Sequence, residues 1–333
     1  MKKIIECIPN VSEGRDRNKI EQLTKEITSV TGVHLLNIDT GALANRTVFT
    51  FIGTPEDVIE SAYRLIKKAA EIIDMRIHKG THPRIGAVDV CPFVPVKGMS
   101  IEEAVLFSDK LAQRVGSELG IPVFSYAYSS KQKEREKLEN IRQGQYEKLK
   151  TRIKDSEWKP DFGPAEFNAK FGAVVIGTRD FLIAYNISLN TRDTAIANKI
   201  ASEIRESGSS NNSPGLLKAV KAIGWYVDEY NCAQVSMNIV DYKTTSVIKA
   251  YETVKKRSSD YGIEILNSEI VGMIPVSAII PDNVRINDNN FWLSREFRQI
   301  LKDTINNLQL NIDADKFKSI ILEYRIYQIY GVL

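Results

Sequence analysis

The chain has 333 residues, 43% of them hydrophobic and 26% charged, with a formal net charge of +3 at pH 7. This is the composition of a soluble globular protein, long enough for two domains, and it argues against disorder. So small a charge excludes nucleic-acid binding by bulk electrostatics and leaves room only for a local basic pocket that takes a small anion. Cys7, Cys91 and Cys232 form no CxxC pair and no metal-ligand spacing, so they read as buried reduced thiols. The N-terminus lacks the apolar region of a signal peptide, and no run of about 18 apolar residues occurs. The expectation is a cytoplasmic protein that does not engage membranes.

Residues 3–11 form a short apolar strand, followed by the loop Asn10-Val11-Ser12-Glu13-Gly14-Arg15. Ile20, Leu23, Ile27 and Val30 recur at helical spacing and predict a helix over residues 17–30. Residues 33–39 make a strand that ends at Asp39-Thr40-Gly41, and residues 46–53 its antiparallel partner. Thr54-Pro55-Glu56-Asp57 starts a helix that runs to about residue 74, with Thr at the cap, Pro in the first turn and acids behind it. Residues 78–90 come next and hold two of the chain's three histidines. Gly80 costs a helix about 1 kcal/mol and Pro83 about 3 kcal/mol, and Pro83 also pushes His82 out of the α region. A polar loop therefore feeds a strand over residues 86–96, whose prolines suggest an edge or a strand end. Ser100-Ile101-Glu102-Glu103 is a capping box for a helix to residue 120, and residues 121–129 read as a strand.

Residues 131–155 are highly charged, with basic residues alternating with Glu, and read as a solvated helix or arm. Residues 160–172 are turn-rich and carry Phe162, Phe167 and Phe171; a loop of this length is either functional or a linker. Residues 173–178 and 181–189 read as a hairpin, and a helix capped at residues 191–194 runs to residue 207. After a flexible loop at residues 208–215, residues 219–228 and 233–240 form another hairpin. A helix over residues 244–262 and a strand over residues 263–274 follow. Helices near residues 276–280 and 292–308 and a strand over residues 320–326 complete the chain. Both halves run strand, helix, two strands, helix, strand, the order of the split βαβ, ferredoxin-like unit. The expected fold is α+β, with subdomains at residues 1–178 and 179–333, helices outside and the two sheets facing a central ligand channel.

No two glycines are spaced G-x-G, and there is no P-loop, G-x-S-x-G or H-E-x-x-H motif. His78 and His82 are four apart, a metal spacing only on a helix, which Gly80 and Pro83 forbid; no metal is expected. His82, on a stiff loop held by a scaffold, is the candidate catalytic group, the alternative being a hydrogen-bonded structural histidine.

A set of strings then carries a resemblance. They are residues 6–14, Asn45-Arg46-Thr47-Val48, residues 74–84, Asp89-Val90-Cys91-Pro92-Phe93, Asp161-Phe162-Gly163-Pro164, residues 181–187 and residues 223–229. In order and over nearly the whole chain, they resemble the glutamate formimidoyltransferase part of the formimidoyltransferase–cyclodeaminase family. No stretch is left over for a cyclodeaminase, so a stand-alone transferase is expected. The resemblance implies transfer of a formimidoyl group from N-formimidoyl-L-glutamate to tetrahydrofolate as co-substrate, a folate channel between two sheets, and a homodimer. It places His82 on the family's catalytic histidine. It places Gly163, Pro164, Ala165, Glu166, Phe167, Asn168, Ala169, Lys170, Phe171 and Gly172 on its folate-binding segment, with Phe171 where the family carries Trp.

The implied chemistry needs one group that takes a proton from pterin N5 and returns one to the departing glutamate nitrogen, a task suited to an imidazole. Asp39 is expected to orient that imidazole and to raise its pKa. Both substrates carry carboxylates, so Arg46, Lys79 and Arg84, with Arg15 and Arg76, are candidates to bind them. His78 and His34 read as structural. The phenylalanines of residues 160–172 either stack on a pterin or anchor their loop. A formyl rather than formimidoyl donor, or a folate carrier without turnover, are the competing functions.

Overall fold

Apolar strings of the first half alternate with capped amphipathic helices, and they assemble around one mixed sheet. In the computed structural model, which describes residues 3–209, 213–281, 284, 286 and 289–331, the chain divides into two units. The first ends at Asp180 and the second begins at Phe181.

The first unit holds strands β1 (Ile4–Cys7), β2 (Asn10–Val11), β3 (His34–Gly41), β4 (Arg46–Gly53), β5 (Val88–Lys97), β6 (Val123–Ser125) and β7 (Val174–Thr178). Its helices are α1 (Arg17–Thr28), α2 (Pro55–Ile72), α3 (Ile101–Leu119), α4 (Leu138–Ile141) and α5 (Gln145–Arg152). Strands β3, β4, β1 with β2, and β5 lie side by side, all antiparallel. That is the split βαβ arrangement. The sheet then continues, because α3 carries the chain across to β6 and β7. These run parallel to each other, and β7 runs parallel to β5.

Residues 173–178 do not form a hairpin with residues 181–189. Every residue of β7 is buried, as befits a parallel strand covered on both faces, and the following strand starts the other sheet. Nor is β5 an edge strand. Its prolines are tolerated because the neighbouring strand is irregular beside them. Pro92 lies opposite the break between β1 and β2, where its carbonyl accepts from the Ile8 N–H at 3.0 Å, and Pro95 lies at a register shift next to Ile4 and Ile5.

The caps read from the sequence are present. Asp16 receives the Lys19 N–H, Thr54 the Asp57 N–H, and Ser100 and Glu103 form the full capping box. The helices bury Leu23, Ile27, Val58, Leu65, Ile66, Leu111 and Val115 against Ile5, Phe49, Phe51, Cys91 and Phe93. A second, smaller core joins Ile85, Val90, Phe124, Tyr126 and Val175 to Ile141 and Leu149. The charged stretch of residues 131–155 is therefore no solvated arm. It folds as short helical turns that dock through Ile141, Leu149 and Ile153, and it buries Arg135 almost completely. The strand expected at residues 121–129 shrinks to β6, followed by a 3-10 turn at Ala127–Ser129.

The second unit places β8 (Ile183–Leu189), α6 (Thr194–Ile204), β9 (Val220–Val227), β10 (Cys232–Ile239), α7 (Val247–Asp260) and β11 (Ile265–Val271) in an antiparallel sheet of order β11-β8-β10-β9. This is the βαββαβ order expected from the sequence. Ser210, Asn211 and Asn212 of the expected flexible loop lie outside the described residues. Helices α8 (Arg295–Leu308), α9 (Ala314–Ser319) and α10 (Leu322–Tyr330) follow. The strand expected at residues 320–326 is thus the start of a helix. A short apolar run does not distinguish the two by periodicity, and Leu322 and Ile326, one helical turn apart, both point inward. The three cysteines are buried and free. Among the described residues no helix is long and apolar enough to cross a membrane.

Trp292 is fully buried, edge-on to Phe297 with ring centroids 5.1 Å apart. Trp292→Ala is expected to cost about 3–5 kcal/mol in urea unfolding followed by circular dichroism. A loss below about 1 kcal/mol would show that this cluster does not hold the second unit together.

Candidate active site

The loop between α2 and β5 is pressed against the turn that joins β3 to β4. Gly80 allows that approach, since a Cβ there would stand 2.2 Å from the Ala44 carbonyl oxygen. Asn45, buried and held at a φ of 48°, ties three segments together. Its Oδ1 accepts from the Gly14 N–H at 2.9 Å, its Nδ2 donates to the Lys79 carbonyl at 2.9 Å, and its own carbonyl receives His78 Nε2 at 3.0 Å. Asn and Gly are among the residues that most readily adopt such left-handed conformations. His78 is fixed at both ring nitrogens, because its Nδ1 accepts from Arg84 Nε at 3.3 Å. Burial is the main reason its pKa is lowered.

His82 faces a cation. Its Nε2 lies 2.5 Å from Arg46 Nη1. A guanidinium has no lone pair to offer, so Nε2 accepts and the ring is neutral with its proton on Nδ1. Burial first, then the charges of Arg46, Arg142 and Arg84, push the pKa down to about 2; a backbone hydrogen bond at Pro83 opposes them. The direction is opposite to the one expected from an Asp39 partner. Asp39 lies on β3 opposite Val48, and its charge acts on Arg46. Burial and Arg142 lower the Arg46 pKa, while Asp39 and Asp89 raise it.

Arg84 is 7% exposed, and its fork is already filled. It donates to both oxygens of Glu147, at 2.9 and 2.7 Å, and to Gln145 at 3.2 Å. Lys79 is exposed at the loop surface. Arg15 donates to the Ala42 carbonyl at 2.8 Å, and Arg76 pairs with Asp74 at 2.5 Å.

Sequence reading missed Arg142. It follows α4, and its Nη2 reaches Oδ2 of Asp89, a carboxylate only 1% exposed whose Oδ1 accepts the Ile85 N–H at 3.0 Å. The turn that carries it is joined to the histidine loop by the Tyr146 N–H, which donates to the Arg84 carbonyl at 2.9 Å. Arg152, stacked on Trp158 at 3.4 Å, holds the same turn by donating to the carbonyls of Asn140, Ile141 and Gln143. The available signal was the spacing of Leu138, Ile141, Leu149 and Ile153, an apolar stripe under the charges.

Residues 163–172 border the same stretch. Gly172, at a φ of 83°, bridges Gly86, and the Phe171 carbonyl accepts the Ala87 N–H at 2.7 Å. Asn168 Oδ1 holds the Phe171 N–H at 2.9 Å, and Lys170 Nζ reaches the Glu71 carbonyl at 2.8 Å. The three phenylalanines part company. Phe171 is 1% exposed, inside the main core, and Phe162 packs against the same core. Phe167 is half-buried against Tyr146, with centroids 5.4 Å apart, and the Tyr146 hydroxyl donates to the Ala169 carbonyl. Gly163, Ala165 and Glu166 are exposed, and Pro164 is half-buried. Among the described residues no three His, Cys, Asp or Glu side chains gather where a metal ion could sit.

In the ligand-free protein the His82 ring is expected to stay neutral down to about pH 5, with the proton on Nδ1, as read from nitrogen chemical shifts. Arg46→Gln should move its pKa upward, toward the ~6.5 of a free imidazole. Because the folded value lies below the unfolded one, the unfolded chain binds the extra proton between them. The contribution to stability is complete above about pH 6.5 and is lost as pH falls. An ordinary titration in the unsubstituted protein would contradict the contact. Phe171→Ala should cost about 3–5 kcal/mol of stability, and Phe167→Ala clearly less; equal losses in thermal unfolding would place both rings in the core.

Comparison with known proteins supplies the family. The model of the formiminotransferase domain, N-terminal subdomain, matches residues 4–179, and that of the formiminotransferase domain matches residues 184–327. A formimidoyltransferase-cyclodeaminase of Dictyostelium discoideum is 47% identical over 281 residues, 84% of this chain and 52% of that protein. The chain thus spans about half the length of this relative. Two relatives named glutamate formimidoyltransferase are matched over most of their length. That of Thermoplasma acidophilum is 44% identical over 83% of this chain and 90% of its own, and that of Streptococcus pyogenes is 41% identical over 84% and 92%. With both halves matched in sequence, the chain belongs to the formiminotransferase domain family.

Proposed function

We propose that this chain is a glutamate formimidoyltransferase, which moves the formimidoyl group of N-formimidoyl-L-glutamate to N5 of tetrahydrofolate and releases L-glutamate. The observation that carries the reading is the neutral His82 imidazole, with its Nε2 lone pair turned toward Arg46 and the charges of Arg142 and Arg84 acting on it. Such a site suits an anionic substrate and a proton-transfer step.

The pterin N5 attacks the formimidoyl carbon, the carbon–N5 bond forms, and N5 must shed its proton. The bond from that carbon to the glutamate nitrogen then breaks, and this nitrogen must gain a proton. His82 performs both transfers. At rest it is a weak base, because Arg46 occupies Nε2. A donor carboxylate beside Arg46 competes for the guanidinium, replaces an N–H···N contact with a charge-assisted N–H···O contact, and frees the imidazole lone pair. The same negative charge raises the imidazole pKa toward the working range. The resting pKa and the catalytic role are thus compatible through substrate binding.

The charge of Asp39 offsets part of the burial and repulsion that Arg46 bears, Arg84 braces the loop through Glu147, and exposed Lys79 remains available to a substrate carboxylate. Residues 163–172 take the folate, with Phe167 as the ring that can stack and Phe171 as the anchor. Tetrahydrofolate enters as co-substrate, and the reading includes a homodimer in the cytoplasm.

The test is turnover with tetrahydrofolate and either N-formimidoyl- or N-formylglutamate. Product is expected from the first donor, and His82→Ala should cut kcat at least about 100-fold with the KM for tetrahydrofolate nearly unchanged. Product from the formyl donor alone would reassign the transferred group, and product from neither would favour a folate carrier.

A further inference from the structure

We propose that Arg142 is a specificity-determining residue that binds the α-carboxylate of the glutamate donor; the assignment rests on the transferase reading above. Asp89 Oδ2 accepts from Nη2 of its guanidinium, and Asp89 is itself fixed by the Ile85 N–H at 3.0 Å. The Arg142 Nε is buried without a hydrogen-bond partner among the described residues, while the side chain as a whole keeps 17% of its surface exposed. Its charge acts on both His82 and Arg46, and in each case it opposes a further proton. Two guanidiniums whose charges repel are relieved by an anion that reaches both.

The chemistry of the substrates says which anion. In N-formimidoylglutamate the α-carboxylate sits on the carbon that bears the leaving nitrogen, the one that departs with glutamate. The γ-carboxylate lies further along the side chain, and the folate carboxylates lie at the far end of the aminobenzoyl tail. If His82 handles the proton of that nitrogen, the cations around His82 meet the α-carboxylate. Arg142 is delivered on a turn already held by Arg152 and Tyr146, so binding would not have to order it, and preorganisation of this kind favours affinity.

The experiment compares N-formimidoyl-L-glutamate with N-formimidoyl-γ-aminobutyrate, which keeps the transferred group and the γ-carboxylate but lacks the α-carboxylate. Arg142→Ala is expected to lower kcat/KM for the glutamate donor by about 10- to 100-fold, to change the aminobutyrate donor little, and to leave the KM for tetrahydrofolate alone. Arg142→Lys should recover part of the loss, since it restores charge without the fork. Equal losses with both donors would overturn the assignment and leave Arg142 as a brace for Asp89. A rise confined to the KM for tetrahydrofolate would also overturn it. Where Arg142→Ala does not fold, as judged by circular dichroism, Arg142→Lys carries the same comparison. An unsubstituted protein inactive on both donors would instead remove the transferase reading itself.

Discussion

An arginine that donates to a histidine settles the protonation of the histidine, and the candidate site is built around that contact. Arg46 comes from the first residue of β4 and His82 from a loop without regular structure. Nothing in either segment alone brings them to 2.5 Å. Asn45 does, by binding both its own turn and the histidine loop, and Gly80 does, by leaving space for Ala44. The remaining charges are arranged around the pair. Asp39 and Asp89 support the positive charge of Arg46, Arg142 adds to the positive field, and Glu147 withdraws Arg84 into a closed ion pair. A carboxylate beside the histidine would have made it a stronger base at rest. An arginine beside it makes the resting imidazole inert and its state sensitive to whatever anion arrives.

Much of the fold was legible because it rests on local rules. The helix starting at Pro55 declares itself by Thr54 and two acids, and the helix starting at Ile101 by its capping box. The second unit follows the strand–helix order written in its sequence. What escaped depends on pairing between distant segments. Residues 174–178 are apolar enough for either neighbour, and only the sheet decides that they run beside β5. The turn holding Arg142 looked solvated because its charges outnumber its apolar residues, yet four apolar positions were enough to dock it. In long basic side chains the charge and the packing surface belong to different atoms, so counting charges misjudges burial.

The site divides in the same way. His82 was visible from backbone chemistry, since a histidine between Gly80 and Pro83 cannot belong to a helix. Its environment was not visible. The arginine partner of His82 is set by the β3–β4 register, which puts Asp39 opposite Val48 and starts β4 at Arg46. No spacing in a single sequence reports that register. Phe171 and Phe167, four residues apart in one segment, differ because Asn168 turns the chain between them and sends one ring into the core.

The position of β7 between β5 and β6 has a consequence for how the site is made during synthesis. The strand beside the histidine loop lacks its parallel neighbour until residue 178 has been joined to the growing chain, and β6 has no strand to pair with until then. Contacts of such long sequence separation form late, because the intervening chain must be confined before they repay its entropy. The loop is therefore completed near the end of the first unit's folding. A nascent chain halted before β7 would carry His82, Arg46 and Asn45 in full and still expose an unpaired edge of β5, the kind of surface that invites association with other chains.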